Sequence, residues 1–295
     1  MQTKRRPRPS LLPLLFIGPA IAWVACLIFF PLAWTFWVSF TKTVMTEQTA
    51  ELVGPFIGFT NYYELIFNDP DFPIILWNSL IWTLGNIAIS GALGLVIALI
   101  LNERFRGQSV MRALVLTPWV IPSVATTISW KFMLNSQLGV IQKILLALGL
   151  APEPIAFFGT DYGMFSVIFV NAWRFTPFVA LSYISALESI PRDLYEAAEV
   201  DGASSFRRFR SITLPFLQPT FAVVGLIGVL LTYGYFDVVW LTTKGGPGTA
   251  TMIPPVYVWV SAFYEFSLSK AASISVIMAI ILLAFALLYR KFFLK

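Results

Sequence analysis

Histidine is absent from this chain, and cysteine occurs once, at Cys26. Without histidine, no Ser-His-Asp triad, Cys-His pair or histidine metal site can form. A single cysteine excludes an intrachain disulfide and a cysteine-based metal cluster. These absences argue against most hydrolase chemistry, and we expect the chain itself to be neither an enzyme nor the holder of a cofactor.

Charge is also scarce. Only 12% of the 295 residues are charged, against about a quarter in soluble domains, and 58% are hydrophobic. The mean hydropathy of +0.78 is too high for a soluble core of this length. Basic residues fall in short polar gaps between apolar runs and not along a solvated face, so the net charge of +5 does not indicate nucleic-acid binding. We expect an integral membrane protein surrounded by lipid.

Six apolar stretches are long enough to cross about 30 Å of hydrocarbon at about 1.5 Å per residue. They predict an all-α transmembrane domain over residues 11–290, preceded by a cytoplasmic N-terminus at 1–10. The first run continues past Val24-Ala25-Cys26 to Phe30, too far for a cleaved signal peptide, so we expect a retained span. The predicted spans are Leu11–Phe40, Asn78–Leu101, Ala113–Leu134, Gly163–Leu187, Thr220–Leu241 and Ala271–Tyr289.

Lysine and arginine are distributed unevenly between the two sides of these spans. Fourteen lie in the N-terminus, in alternate gaps and in the C-terminal tail, whereas the other gaps hold four, Lys42, Lys143, Lys244 and Lys270. Because cytoplasmic loops are enriched in these residues, both termini are predicted to be cytoplasmic. The opposite side carries a possible short helix at Val140–Leu148 ending at Gly149, and an apolar stretch, Met252–Phe266, that is too short to span.

Small residues recur along the second span, which lets a neighbouring helix backbone approach closely. As a group they favour a packed bundle over a lone anchor. They are Gly85, Ala88, Gly91, Ala92, Gly94 and Ala98.

The cytoplasmic gap at 188–219 is the longest on its side. Pro191 and Asp193 suit the first turn of a helix, and Gly202 is a helix stop that permits a sharp turn. A second helix is predicted from about Ser204 to a point before Pro215, since the residue before proline is pushed out of the helical region.

On the first of these helices, one face carries Leu194 and two residues with small side chains, Ala197 and Ala198. Glu196 and Asp201 flank this face. Glu196-Ala197-Ala198 alone is more typical of an ordinary amphipathic helix on the membrane surface, because alanine and glutamate are good helix formers.

The full pattern is more specific. The gap contains Glu-Ala-Ala and, two residues later, Asp-Gly-Ala, followed by Phe209, Ile212, Leu214-Pro215 and Pro219. With these spacings it resembles the cytoplasmic loop of binding-protein-dependent ABC importer permeases. The resemblance implies that this loop is the coupling helix that docks on an ATPase subunit. Its implied coupling residues are Leu194, Glu196, Ala197, Ala198, Asp201 and Gly202.

The resemblance extends along the chain. Gly58-Phe59-Thr60-Asn61-Tyr62 is similar to the first outer loop of sugar-type permeases, and Phe236-Asp237, Leu241-Thr242, Gly245-Gly246-Pro247 and Thr251 are similar to the first-subunit type of maltose permease. The extra N-terminal helices and large outer domain of the maltose protein are missing, which leaves the sugar unassigned.

No Gly-x-x-x-x-Gly-Lys-Ser/Thr phosphate loop occurs, so this chain is not expected to hydrolyse ATP. The resemblance implies partners instead: a second permease subunit in a heterodimer, two ATPase subunits that bind ATP and magnesium, and an extracytoplasmic solute-binding protein.

Polar groups at membrane depth are the candidates for a translocation path. Measured from the outer ends of their spans, Arg174 lies about 16 Å deep in span four and Asp237 about 6 Å deep in span five. They resemble an ion pair, but one whose members are separated by about 10 Å in depth. Lys131, near a span end, is assigned a structural role. Aromatic and amide side chains suited to a sugar complete the candidate set, which is Asn171, Trp173, Arg174, Tyr233, Tyr235 and Asp237. The alternative for Arg174 and Asp237 is that they hold helices together or face the partner permease. For the tryptophan and the tyrosines it is the aromatic belt at the membrane interface.

Two other functions stay open at this stage. An ion-coupled secondary transporter usually carries buried acids in several spans, whereas this chain offers only Asp237. A membrane-bound enzyme would need a catalytic constellation that these residues do not supply.

Overall fold

The computed structural model describes residues 12–44, 53–103 and 105–293, and the predicted N-terminal segment 1–10 lies outside them. The described residues form helices and two isolated β-bridges. The helices are α1 (Leu12–Val24), α2 (Phe30–Val38), α3 (Thr60–Tyr63), α4 (Phe72–Asn102), α5 (Gln108–Val120), α6 (Ser123–Met133), α7 (Val140–Ala147), α8 (Gly163–Glu188), α9 (Arg192–Val200), α10 (Ser205–Arg208), α11 (Leu214–Tyr233), α12 (Asp237–Thr242), α13 (Pro254–Phe263) and α14 (Leu268–Phe293). Three π-helical segments join neighbouring helices, at Ala25–Phe29, Glu64–Asn68 and Phe209–Thr213.

Within the described residues, five helical stretches are long and apolar enough to cross a membrane. They are Phe16–Val38, Phe72–Asn102, Gly163–Glu188, Ser205–Tyr233 and Leu268–Phe292. A sixth crossing is present if α5 and α6, which meet at 93°, count as one broken span. This architecture agrees with the predicted all-α membrane fold.

The third span differs from its prediction. Ala113–Leu134 was expected as one helix, and this is wrong, because the chain breaks between Val120 and Ser123. Ile121 is extended (φ −67°, ψ 133°), the conformation that a following proline favours. Pro122 also lacks the N–H that would continue the helix.

The fifth span differs at both ends. Its helix begins at Ser205 and continues through the π-helical segment into α11, so the expected end before Pro215 is wrong. Pro215 is tolerated because it lies in the first turn after the wider π-helical turn. At the other end the helix stops at Tyr233, and α12 starts only at Asp237, so Thr220–Leu241 is two helices and not one.

Helices α4 and α8 form the centre of the bundle. A Cβ added at Gly94 would lie 2.7 Å from Cγ1 of Val179, and one at Gly85 would lie 2.9 Å from Cδ1 of Ile168. Glycine at these two positions is therefore what lets the two backbones approach, as the small-residue pattern predicts. Ala88 and Ala92 are exposed and do not take part in this contact.

The segments on the side opposite α9 are also held in place. Helix α7 forms close to its predicted bounds, and α13 is a helix of ten residues. Asp69 accepts a hydrogen bond from the Tyr257 hydroxyl and forms an ion pair with Lys270 at 3.1 Å. Lys270 also pairs with Glu265. Burial raises the pKa of Asp69, but the hydrogen bonds from Tyr257 and Lys270 and the Lys270 charge outweigh it, so the pKa lies below its ordinary value.

Candidate functional site

Helix α9 has well-defined ends. Pro191 precedes it and Asp193 lies in its first turn, where a carboxylate is stabilised by the helix dipole. At the C-terminal end, the Ala203 N–H donates to the Ala198 carbonyl (2.8 Å) and the Gly202 N–H donates to the Glu199 carbonyl (3.0 Å). This is a Schellman motif, and the φ of +74° at Gly202 is the left-handed conformation that it requires.

The predicted coupling residues lie together on α9 and its C-terminal turn. Leu194, Glu196, Ala197, Asp201 and Gly202 are exposed. Ala198 is half-buried, since it lies toward the inward side of the helix that Tyr195 marks. The accessible surface is therefore formed by Leu194 and Ala197 more than by Ala198.

Three large apolar side chains are exposed next to this surface, in a segment that lies between two membrane spans. Leu194 is 40% exposed, Phe206 71% and Val200 88%. Exposed large apolar side chains in a segment outside the spans are a feature of protein interaction sites. We call Leu194, Ala197, Val200 and Phe206 the coupling surface.

Two contacts tie α9 to the base of the fifth span. The Tyr195 hydroxyl and the Thr213 hydroxyl are hydrogen-bonded at 2.9 Å, and Arg208 pairs with Glu199 at 3.0 Å. A separate ion pair, Arg112–Glu188 at 2.8 Å, joins the first half of α5 to the end of α8.

The breaks in spans three and five bring polar residues together. Ser123 is the first residue of α6 and Asp237 the first of α12, and the Ser123 hydroxyl donates to Oδ2 of Asp237 at 2.6 Å. The carboxylate therefore lies at two helix N-termini, where negative charge is favoured.

Arg174 and Asp237 are not a direct ion pair in the described part of the chain. Tyr235 lies between them: its ring centroid is 4.5 Å from Cζ of Arg174, and its hydroxyl donates to Oδ2 of Asp237 at 3.4 Å. The depth difference noted in the sequence is thus bridged by an aromatic ring. The buried Nε of Arg174 has no hydrogen-bond partner among the described residues.

Trp173 lines a cavity of about 480 Å³ between α4, α5 and α8. Thr117 and Pro118, from the end of α5 just before the break, and Thr176 share this cavity. Trp130 of α6 makes an edge contact with Trp173, with ring centroids 5.5 Å apart. The cavity and the Asp237 cluster therefore flank the same break in span three.

Asn171 and Tyr233 lie elsewhere. Asn171 is buried and donates to Oδ1 of Asn86 at 2.8 Å, so its amide joins α8 to α4. Tyr233 is buried at the end of α11. Lys131 donates to the Leu241 carbonyl at the end of α12 (2.8 Å), as expected for a structural role.

Sequence reasoning missed Ser123, Trp130 and Asn86. The signal for Ser123 was Pro122, because a serine directly after an extended Ile-Pro pair is a plausible helix start. Nothing in the local sequence marks Asn86 or Trp130, since their partners are distant in the chain.

Comparisons with known proteins agree with this geometry. Residues 90–293 match the family model described as "Binding-protein-dependent transport system inner membrane component". The trehalose/maltose transport system permease protein MalF of Thermococcus litoralis is 34% identical over 99% of this chain and 96% of its own length. The sulfoquinovosyl glycerol transport system permease protein SmoG of Agrobacterium fabrum is 34% identical over 91% of this chain and 85% of its own length.

Among solved structures, a chain of a bacterial ABC transporter that imports the acidic polysaccharide alginate superposes with a TM-score of 0.81. Its identity is 23%, and the match covers 95% of this chain and 94% of that one. At this identity the likeness establishes the fold.

The chain belongs to the binding-protein-dependent inner-membrane transport component family. It is a permease subunit of an ATP-driven importer, a multi-pass protein of the inner membrane, and a transport component and not an enzyme. This identification confirms the resemblance seen in the sequence and sets aside the alternatives of an ion-coupled transporter and a membrane enzyme.

Proposed function

We propose that this chain forms half of the translocation pathway for a sugar or sugar-like solute, and that ATPase motion reaches it through α9. The observation that carries the proposal is the coupling surface. It combines exposed apolar side chains with a helix whose end is held by a Schellman motif. Exposure of such an apolar surface to water costs free energy, and a bound partner removes that cost.

Two ATPase subunits, which would bind ATP and magnesium, are the partners proposed for this side of the membrane. The coupling surface lies in the same gap as Arg192, Arg207, Arg208 and Arg210. Because cytoplasmic gaps are enriched in lysine and arginine, this supports a cytoplasmic α9, on the side where ATP is available, with both termini on that side. The opposite side, with the Asp69–Lys270 contact, would face the solute-binding protein.

A second permease subunit is proposed as the other half of the pathway. The most apolar window of Phe16–Val38 has no buried residue within this chain, and apart from the contact of α2 with α14 its surface is available to lipid or to a partner. Polar side chains facing the cavity at Trp173 are few, which fits half of a pathway that a second subunit would complete.

The sugar class rests on the relatives and on the side chains present. The names of the matched proteins refer to trehalose, maltose and sulfoquinovosyl glycerol. Trp173 and Trp130 supply aromatic faces for sugar C–H surfaces, while Arg174, Tyr235 and Asp237 supply hydrogen-bonding groups.

Crosslinking tests the coupling proposal directly. In a Cys26→Ser background, Ala197→Cys is expected to crosslink to an ATPase subunit of the assembled transporter when a short bifunctional maleimide is added. Ala147→Cys, at an alanine that is also exposed, on α7, is the control and should give no such product. If Ala147→Cys captures the ATPase and Ala197→Cys does not, the coupling assignment and the orientation both fail.

Trp173→Ala tests the proposed substrate path. Loss of one aromatic contact should raise the KM for uptake about two- to tenfold, the range that such contacts are worth. Uptake of radiolabelled sugars by proteoliposomes containing the whole transporter is the measurement. Trp77→Ala, at a tryptophan 61% exposed on α4, is the matched control and should leave KM unchanged. Equal KM values for both variants would contradict the assignment of Trp173.

A further inference from the structure

We infer that Tyr195 is a positioning residue that locks α9 to the base of the fifth span, so that movement of α9 is passed into that span and not lost at the Gly202 turn. This inference rests on the proposed coupling role of α9, and it concerns how the force leaves α9 once it has arrived.

Tyr195 is the only large side chain of α9 that turns inward. It is half-buried, whereas Leu194, Glu196 and Ala197 beside it are exposed. Its ring packs against the apolar cluster that includes Leu187, Ile190 and Leu217. The ring thus reaches from α9 into the core formed by spans two, four and five.

The Tyr195 hydroxyl is hydrogen-bonded to the hydroxyl of Thr213, a buried residue with 5% of its surface exposed. Thr213 is the last residue of the π-helical segment Phe209–Thr213, directly before α11 begins. Because the Thr213 side chain is buried, loss of this hydrogen bond would leave a buried hydroxyl unpaired, which is costly. The link is therefore specific and points to one place in the fifth span.

Such a link is needed because the backbone between α9 and α10 would by itself transmit force poorly. Between α9 and α10 the chain runs through Gly202 at φ +74°, where an added Cβ would have no heavy atom within 4 Å. No other residue in the described part of the chain packs where a Cβ of residue 202 would lie, so the turn is held by its own backbone hydrogen bonds and by the Glu199–Arg208 pair. A displacement of α9 would change the angle at Gly202 before it moved α11.

The other side-chain contact across this turn is too exposed to water to transmit the movement of α9. The side chains of Glu199 and Arg208 are 73% and 25% exposed, and exposed ion pairs contribute little. Tyr195–Thr213 is the better protected of the two contacts, since Thr213 is buried and Tyr195 is half-buried.

The position of Thr213 in a π-helical segment adds a reason for the lock. Such segments occur frequently at functional sites, and a helix can change its turn there. A hydrogen bond that holds the last residue of the segment keeps this part of the span in one arrangement while α9 is pushed.

The experiment is a double-mutant cycle on the assembled transporter in proteoliposomes, comparing wild type with Tyr195→Phe, Thr213→Val and the double variant. Solute imported per ATP hydrolysed is the readout. Each single variant should lower this ratio about fivefold, the effect of one hydrogen bond, and the double variant should lower it no further. Thr213→Ser keeps the hydroxyl and should restore the ratio to near the wild-type value.

Three results would overturn the inference. The ratio could stay unchanged in Tyr195→Phe and Thr213→Val, or it could fall additively in the double variant, which would mean that the two residues act separately. If the variants lower the melting temperature and both activities in parallel at a constant ratio, Tyr195 serves stability alone and the inference also fails.

Failure of the underlying proposal would look different. In that case Ala197→Cys would not crosslink to the ATPase in any of these backgrounds. With the inference correct, Tyr195→Phe carrying Ala197→Cys should still crosslink at the wild-type yield, because α9 still docks and only the onward connection is lost.

Discussion

Replacing Gly202 by proline is expected to abolish transport while leaving the protein inserted in the membrane. Gly202 has φ +74°, and proline is restricted to about −65°, so α9 cannot end as it does. The change also removes the N–H that donates to the Glu199 carbonyl. Because this turn lies outside the spans, insertion should not suffer, and uptake in proteoliposomes should fall to background.

Gly149→Pro is a closely matched control. Gly149 ends α7 with φ +69°, and its N–H donates to Leu146 while that of Leu150 donates to Leu145, which is the same Schellman arrangement. The backbone cost is therefore similar, but the site lies on the side opposite α9. Gly149→Pro should keep most of the transport activity. Similar loss in both variants would show that Gly202 has no special role.

Glu196→Lys is the second arm of this prediction. Glu196 is exposed on α9, so reversing its charge should change the interaction with a partner and not the fold. Transport should be lost with normal amounts of protein in the membrane. If Gly202→Pro and Glu196→Lys both transport normally, the coupling role of α9 is wrong.

Gly94→Leu is expected to destabilise the bundle severely. A single added Cβ at this position would lie 2.7 Å from Cγ1 and 3.0 Å from Cβ of Val179, and 3.2 Å from the backbone nitrogen of Ala180. Backbone and a branched side chain cannot move aside cheaply, so even the first carbon should cost about 1–3 kcal/mol and leucine more. The melting temperature of the detergent-solubilised protein should fall markedly.

Ala92→Leu is the control for this substitution. Ala92 is on the same helix but exposed, so a larger apolar side chain there should be accepted by lipid or detergent with little change in melting temperature. Equal melting temperatures for wild type and Gly94→Leu would mean that α4 and α8 are not packed as closely as described.

Much of the coupling segment was predictable because its signals are local. Pro191, Asp193 and Gly202 each act within one turn of helix. Asp193 and Gly202 appear where expected, whereas Pro191 lies one residue before the helix and not in its first turn. The inward position of Tyr195 was not predicted, because its partner Thr213 is reached only after the chain turns at Gly202.

The substrate-path candidates were harder to judge from the sequence. Arg174, Tyr235 and Asp237 do come together, but only because α11 ends at Tyr233 and α12 begins at Asp237. Asn171 was chosen for its depth, and its amide instead joins two helices through Asn86. Depth along a span is predictable, whereas the direction of a side chain depends on which neighbour it meets.

The sequence by itself determined the helical membrane fold, the number of apolar segments and the family. These follow from hydropathy over about twenty residues and from a motif whose parts are close together. Only the tertiary structure decided where spans three and five break, that Ser123 meets Asp237, and that Tyr195 reaches Thr213. The reason is physical: a proline or glycine only weakens a helix, and whether the chain bends there depends on the packing available on either side.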